Sequence, residues 1–207
     1  GDLQAVTQAA AEAARTALAE TTNQLEALRR AGVVDAGGRG YFTAIAIGTD
    51  GLPVISHHEV SAGTLRVTHC GNVACTAGNV STTVDDPANV VGEFSAIAIG
   101  ADGLPIISHQ DTTARTLRVT HCGNVLCSAG NISTTVDPIY GVGSFSSIAI
   151  GADGLAVISH FDSGATRLRV THCGNALCTA GNVTHVADAP GYPVGFTPSI
   201  AIGVDGL

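Results

Sequence analysis

The chain has 207 residues, 45% hydrophobic and 13% charged, with a net charge of −8 and nine cations that are all arginine. This is too apolar for a disordered polyelectrolyte, and it lacks the basic patch that a phosphate backbone demands, so nucleic acid is not an expected partner. No stretch reaches the roughly 18 consecutive apolar residues of a membrane span, and no export signal is found in the given sequence.

Residues 1–40 contain no aromatic residue and are rich in alanine, with Leu3, Val6, Ala10, Ala13, Ala17, Leu18, Leu25 and Leu28 at helical spacing. Asn23 with Glu26 three places on reads as the capped start of a second helix, and Gly32 as its close. A helical hairpin or one long interrupted helix is expected. Its ending, Leu28-Arg29-Arg30-Ala31-Gly32-Val33-Val34-Asp35-Ala36-Gly37-Gly38, resembles the end of the all-helical nucleotide-binding domain of dihydroxyacetone-kinase L subunits and bacterial fatty-acid kinases. The resemblance implies a nucleotide close to Asp35, Gly37 and Gly38. In that family the aspartates gripping magnesium and phosphate stand near the start of the domain, and no aspartate cluster precedes Asp35 here. Phosphoryl transfer is almost entirely positioning plus metal electrostatics, which one helix pair and one glycine loop do not supply. A nucleotide-dependent kinase is therefore only the alternative reading, and no cofactor is expected.

From residue 41 the chain repeats. Ala44-Ile45-Ala46-Ile47-Gly48-Thr49-Asp50-Gly51-Leu52-Pro53-Val54-Ile55-Ser56-His57 returns at 96–109 and 147–160, and its opening returns at 199–207. Leu-Arg-Val-Thr-His-Cys-Gly-Asn follows at 65–72, 117–124 and 168–175, with Cys70, Cys122 and Cys173 spaced 52 and 51 residues apart. Each copy is expected to give four short strands, in the first near 45–48, 53–57, 64–70 and 79–84, because β-branched residues dominate these runs. Asp-Gly at 50–51, 102–103, 153–154 and 205–206 is the two-residue hairpin signal. Four-strand units in tandem predict a mostly β chain: a partial β-propeller of about three blades (42–93, 94–144, 145–195) plus the first strand of a fourth at 196–207. The alternative is a β-trefoil, which needs three copies and no fourth. The motifs Ser-Ile-Ala-Ile-Gly-x-Asp-Gly-Leu-Pro-x-Ile-Ser and His-Cys-Gly-Asn-x-x-Cys-x-Ala-Gly-Asn resemble tandem repeats of large exported bacterial proteins taken to be propeller blades. That resemblance implies a fold and no reaction.

The cysteines form three C-x4-C pairs, Cys70/Cys75, Cys122/Cys127 and Cys173/Cys178. A short loop could set each pair opposite one another on adjacent strands, within disulfide reach, whereas zinc would need a fourth ligand beside His69 and two cysteines. Disulfides are favoured, and with them an oxidising location, secreted or at the cell surface. His57, His109 and His160 are equivalent, each with an acid two places on (Glu59, Asp111, Asp162), and are the weak candidates for a metal ring. Repeat duplication explains them better, since ligation needs convergence as well as identity, so no metal and no catalytic residue is expected. Asn79, Asn131 and Asn182 match the N-glycosylation pattern but also fit as turn residues. The expected role is a non-enzymatic extracellular binding or scaffold module facing a carbohydrate, a surface polymer or a protein, and its open blade edges imply either a place in a longer repeat array or self-association.

Overall fold

The computed structural model describes residues 43–203, and the expected helical segment with Asp35, Gly37 and Gly38 lies outside them. Twelve strands follow in chain order: β1 Thr43–Ile47, β2 Pro53–Glu59, β3 Thr64–His69, β4 Val80–Asp85, β5 Val91–Ile99, β6 Pro105–Asp111, β7 Thr116–His121, β8 Ile132–Asp137, β9 Ser144–Ile150, β10 Ala156–Asp162, β11 Arg167–His172 and β12 Val183–Asp188. They form three four-stranded antiparallel sheets, each in simple chain order within one repeat. A trefoil would pool strands of different repeats into one barrel, and this chain closes every sheet inside its own copy. The described residues are β-propeller blades.

Neighbouring blades meet through their first strands, β1 against β5 and β5 against β9, which places these strands innermost. The core lies between blades. Val54, Leu65, Val67 and Val84 of blade 1 pack on Ile97, Ile107 and the Cys122–Cys127 bridge of blade 2. Ile106, Leu117, Val119 and Val136 of blade 2 pack in the same way on Ile148, Ile158 and the Cys173–Cys178 bridge of blade 3. Each blade therefore has two apolar faces, one toward the blade before it and one toward the blade after, as its strand alternation requires. Residues 198–203 carry no strand, and Ile200 N–H donates to Ser147 Oγ of β9 at 3.2 Å. In every full copy the first strand pairs with the strand after its Asp-Gly turn; here the residues from 204 onward lie outside those described.

All three C-x4-C pairs are disulfides, with Cα separations of 4.8, 4.8 and 4.9 Å. One detail differs from expectation. The second cysteine of each pair is not on a strand but at a left-handed turn position (φ 53°, 51° and 52°), its N–H donating to the Asn three residues before it. The loop is too tight for two facing strands. Asn72 Oδ1 accepts from the N–H groups of Ala74 and Thr76, and Asn79 accepts from Gly71 N–H while donating to Cys75 O. Asn79, Asn131 and Asn182 thus spend their amides on the loop backbone, which is the turn reading. Gly123 sits so close to Ala129 O and Gly130 O that an added Cβ would lie 2.5 Å from both. Backbone cannot yield there as a flexible side chain could. Gly123→Ala is expected to cost about 1–3 kcal/mol by overpacking, read as a lower urea midpoint, whereas Gly51→Ala meets open space and is strained only by its φ of 78°.

Candidate functional site

Antiparallel order fixes two rims. The Asp-Gly hairpins and the disulfide loops share one rim; the turns between second and third strands and the blade-to-blade linkers share the other. On the first rim each hairpin aspartate meets the histidine ending the third strand: His69–Asp50 at 2.8 Å, His121–Asp102 at 2.9 Å and His172–Asp153 at 2.9 Å. Asp50 Oδ1 also accepts the Leu52 N–H, and that bond first, then His69, holds its carboxyl below the usual range despite slight burial. These pairs brace the turn, so Asp50, Asp102 and Asp153 act as turn formers.

The candidate metal histidines go elsewhere. His57, His109 and His160 stand on the second strands of three different blades, and each bonds a threonine of its own third strand, at 3.2, 3.0 and 3.2 Å. They are not brought together, and no group of three or more metal-ligating side chains occurs among the described residues. The acids two places on do not join them: Asp111 and Asp162 cap the following turns at Ala114 and Ala165 N–H, and Glu59 binds Ser61.

His109 and His160 instead help seat a carboxylate from the preceding blade. Asp85, at the end of β4, receives Arg118 Nε at 2.8 Å and Arg118 Nη2 at 3.1 Å, with His109 Nε2 3.5 Å away. Asp137 receives Arg169 Nε at 2.8 Å, with His160 Nε2 at 3.7 Å. Both carboxylates are buried. Sequence reading missed this latch, because its partners lie 33 and 32 residues apart on separate blades. Its one legible signal is that the second and third Leu-Arg-Val, at 117–119 and 168–170, are each preceded, one blade earlier, by an Asp closing the fourth strand.

The second rim carries the blade-to-blade linkers. Asn89, Tyr140 and Tyr192 hold equivalent linker positions, three residues before Gly92, Gly143 and Gly195. Asn89 donates to Asp111 at 2.7 Å. Tyr140 lies under the guanidinium of Arg115, 5.1 Å from the ring centroid, and the same arginine donates to Ser163 Oγ of the next blade at 3.1 Å. The ring is thereby held in place. Tyr140 and Tyr192 are each 67% exposed, so most of each ring faces solvent on the same rim. Among the central strands β1, β5 and β9, Glu93 is the one carboxylate.

No family model and no curated protein sequence matches the chain. Its fold is similar to solved structures at low identity. A protein of unknown function from Dyadobacter fermentans DSM 18053 aligns with TM-score 0.55 and 10% identity over 74% of this chain and 43% of its own. A GH43 β-1,3-galactosidase aligns with TM-score 0.50 and 11% identity over 70% of this chain and 31% of its own. An α-L-arabinofuranosidase from Lactobacillus brevis aligns with TM-score 0.47 and 10% identity over 70% and 52%. The chain thus spans 43% and 31% of the first two structures. The first two likenesses support the propeller fold, and nothing in them supports a kinase. The expectation that the chain is not an enzyme is overturned by the galactosidase match, since a glycosidase is built on this fold and loops, not blades, decide chemistry.

Burial drives His109 and His160 from the ordinary 6.5 down to about 4, with Asp85 and Asp137 opposing and Arg118 and Arg169 reinforcing that shift. Because the folded pKa lies below the unfolded one, acid protonates the unfolded chain first. The contribution is complete above about pH 6.5 and is lost as pH falls toward 4, by at most about 3.5 kcal/mol per histidine at about 1.4 kcal/mol per pKa unit. Urea midpoints measured across pH 4–7 should fall with acid, and His160→Gln should flatten that slope. Asp137→Ala leaves a buried arginine without its carboxylate and should cost about 3–5 kcal/mol, whereas the exposed Asp188→Ala in a monomer should stay within about 0.5 kcal/mol.

Proposed function

We propose that this chain recognises a carbohydrate on the rim carried by the β6–β7 turn and linker 138–143, and that it does so outside the cytoplasm. The observation that carries the reading is the exposed Tyr140 ring, fixed from one side by Arg115, with Tyr192 at the equivalent position one blade on. A flat apolar ring beside fixed guanidinium and hydroxyl donors suits the apolar face and hydroxyl edge of a sugar. The three copies also share their strands yet differ on this rim, where Pro-Ala-Asn, Pro-Ile-Tyr and Pro-Gly-Tyr open the linkers. Likeness of fold to a β-1,3-galactosidase supports the ligand class. Location is supported by three disulfides, while among the described residues no helix is long and apolar enough to cross a membrane.

Titration calorimetry with β-1,3-linked galacto-oligosaccharides tests the reading. Saturable binding is expected, weakened about tenfold or more by Tyr140→Ala or Arg115→Ala, corresponding to about 1.4 kcal/mol. Absence of binding to a broad oligosaccharide panel would overturn it. Reducing ends released in the same incubations, and abolished by Glu93→Gln, would extend recognition to hydrolysis, since glycosidases place carboxyl groups at the scissile bond.

A further inference from the structure

The repeat provides its own control: among the described residues, equivalent positions can be compared between faces packed on another blade and faces that are not. The face each blade turns to its successor is buried in blades 1 and 2, where Leu65, Leu117, Val67 and Val119 are all 0% exposed. In blade 3 the equivalent Leu168 and Val170 are only half-buried. Strand β12 is exposed at five of its six positions, whereas β4 and β8 both end on two buried residues. The opposite face behaves likewise. Ile97 and Ile148 are 9% exposed against their predecessors, and the equivalent Ile45 of blade 1 is 38% exposed.

Polar groups follow the same rule. Ser56 bonds Ser95 of the next blade at 3.0 Å and Ser108 bonds Ser146 at 2.8 Å, but their equivalent Ser159, buried in blade 3, has an Oγ with no hydrogen-bond partner among the described residues. Asp85 and Asp137 each receive an arginine from the blade that follows, and their equivalent Asp188 is exposed with no cation on it among the described residues. At the other end Arg118 and Arg169 each hold a carboxylate of the blade before, whereas Arg66 has no such partner among the described residues. The carboxylate it acts on is Glu59 of its own blade. Half-buried His57, lowered by desolvation and then by Arg66, stands beside it as His109 stands beside Arg118.

We infer that these faces are the two halves of one blade-to-blade interface and that the occupant they fit is a second copy of this chain, docking head to tail. Asp188 of one copy enters the Arg66 and His57 notch of the other, Ser159 gains its hydroxyl partner, and Leu168 and Val170 cover Ile45, Ile55 and the Cys70–Cys75 bridge. The incoming β1 takes the place beside β9 that residues 199–203 now hold. Apolar area and a charge pair act together, so the contact is specific to a blade carrying arginine at this position of its third strand. Such a heterologous contact closes into a ring or continues as an open array, according to the rotation between copies. The inference is independent of the carbohydrate reading.

The test uses two charge reversals in the full chain, followed by light scattering and sedimentation from about 1 to 200 µM. The unaltered protein is expected to associate with rising concentration. Asp188→Arg alone and Arg66→Asp alone should each weaken association by about tenfold or more. An equimolar mixture of the two variants should associate again: the reversed charge at position 188 of one variant then meets the reversed charge at position 66 of the other, and the second contact between them is the native pair. Restoration on mixing also shows that both variants are folded. The proposal is overturned if the unaltered chain remains monomeric throughout, if neither reversal changes association, or if the mixture fails to recover it.

Discussion

A carboxylate from the last strand of one blade, seated between an arginine and a neutral histidine of the next, sets the relation on which the other features depend. Asp85 and Asp137 are withdrawn from water at a cost of several kcal/mol per ion, and only a well-aligned guanidinium with further polar neighbours compensates for it. Any other stagger of the blades would strand that charge. The apolar contact, by contrast, is forgiving: Val, Leu and Ile against Ile and a disulfide would accept small slips at little cost. The ion pair therefore specifies the register, and the apolar area supplies most of the stabilisation.

Order inside a blade and order between blades are achieved by different means. Within a blade, the hairpin aspartates, the third-strand histidines and the disulfide loops all act at one rim and tie together residues close in sequence. Between blades, the core and the latch act over 30 residues or more. Each blade consequently contacts only its neighbours, so stability is a sum of blade terms and interface terms, and a terminal face is half of an interface. This is why Ile45, Leu168 and Asp188 differ in exposure from residues identical or nearly identical to them in sequence.

The division also leaves one rim free to vary. Linkers and turns there carry Asn89, Tyr140 and Tyr192 at one position, where the asparagine bonds Asp111 and the two tyrosines are exposed. Arg115 gives the variable position a fixed setting by reaching from one blade over Tyr140 to Ser163 of the next. A recognition surface built this way is rigid without requiring any change in the strands beneath it.

By itself the sequence determined what is local. Period-two alternation, Asp-Gly turns and the 52- and 51-residue spacing located twelve strands in three blades within a few residues, and the four-residue gap between cysteines favoured their pairing, though through a tight turn in place of the facing strands expected. These follow from backbone sterics and short loops, which act within a few residues. Only the tertiary structure decided which face of each blade meets its neighbour, that His109 and His160 serve a carboxylate and not a metal ring, and that Tyr140 stands exposed under Arg115. Repetition itself hid those roles: a residue copied once per blade reads the same in every copy, and it is distinguished only by what the adjoining blade places against it.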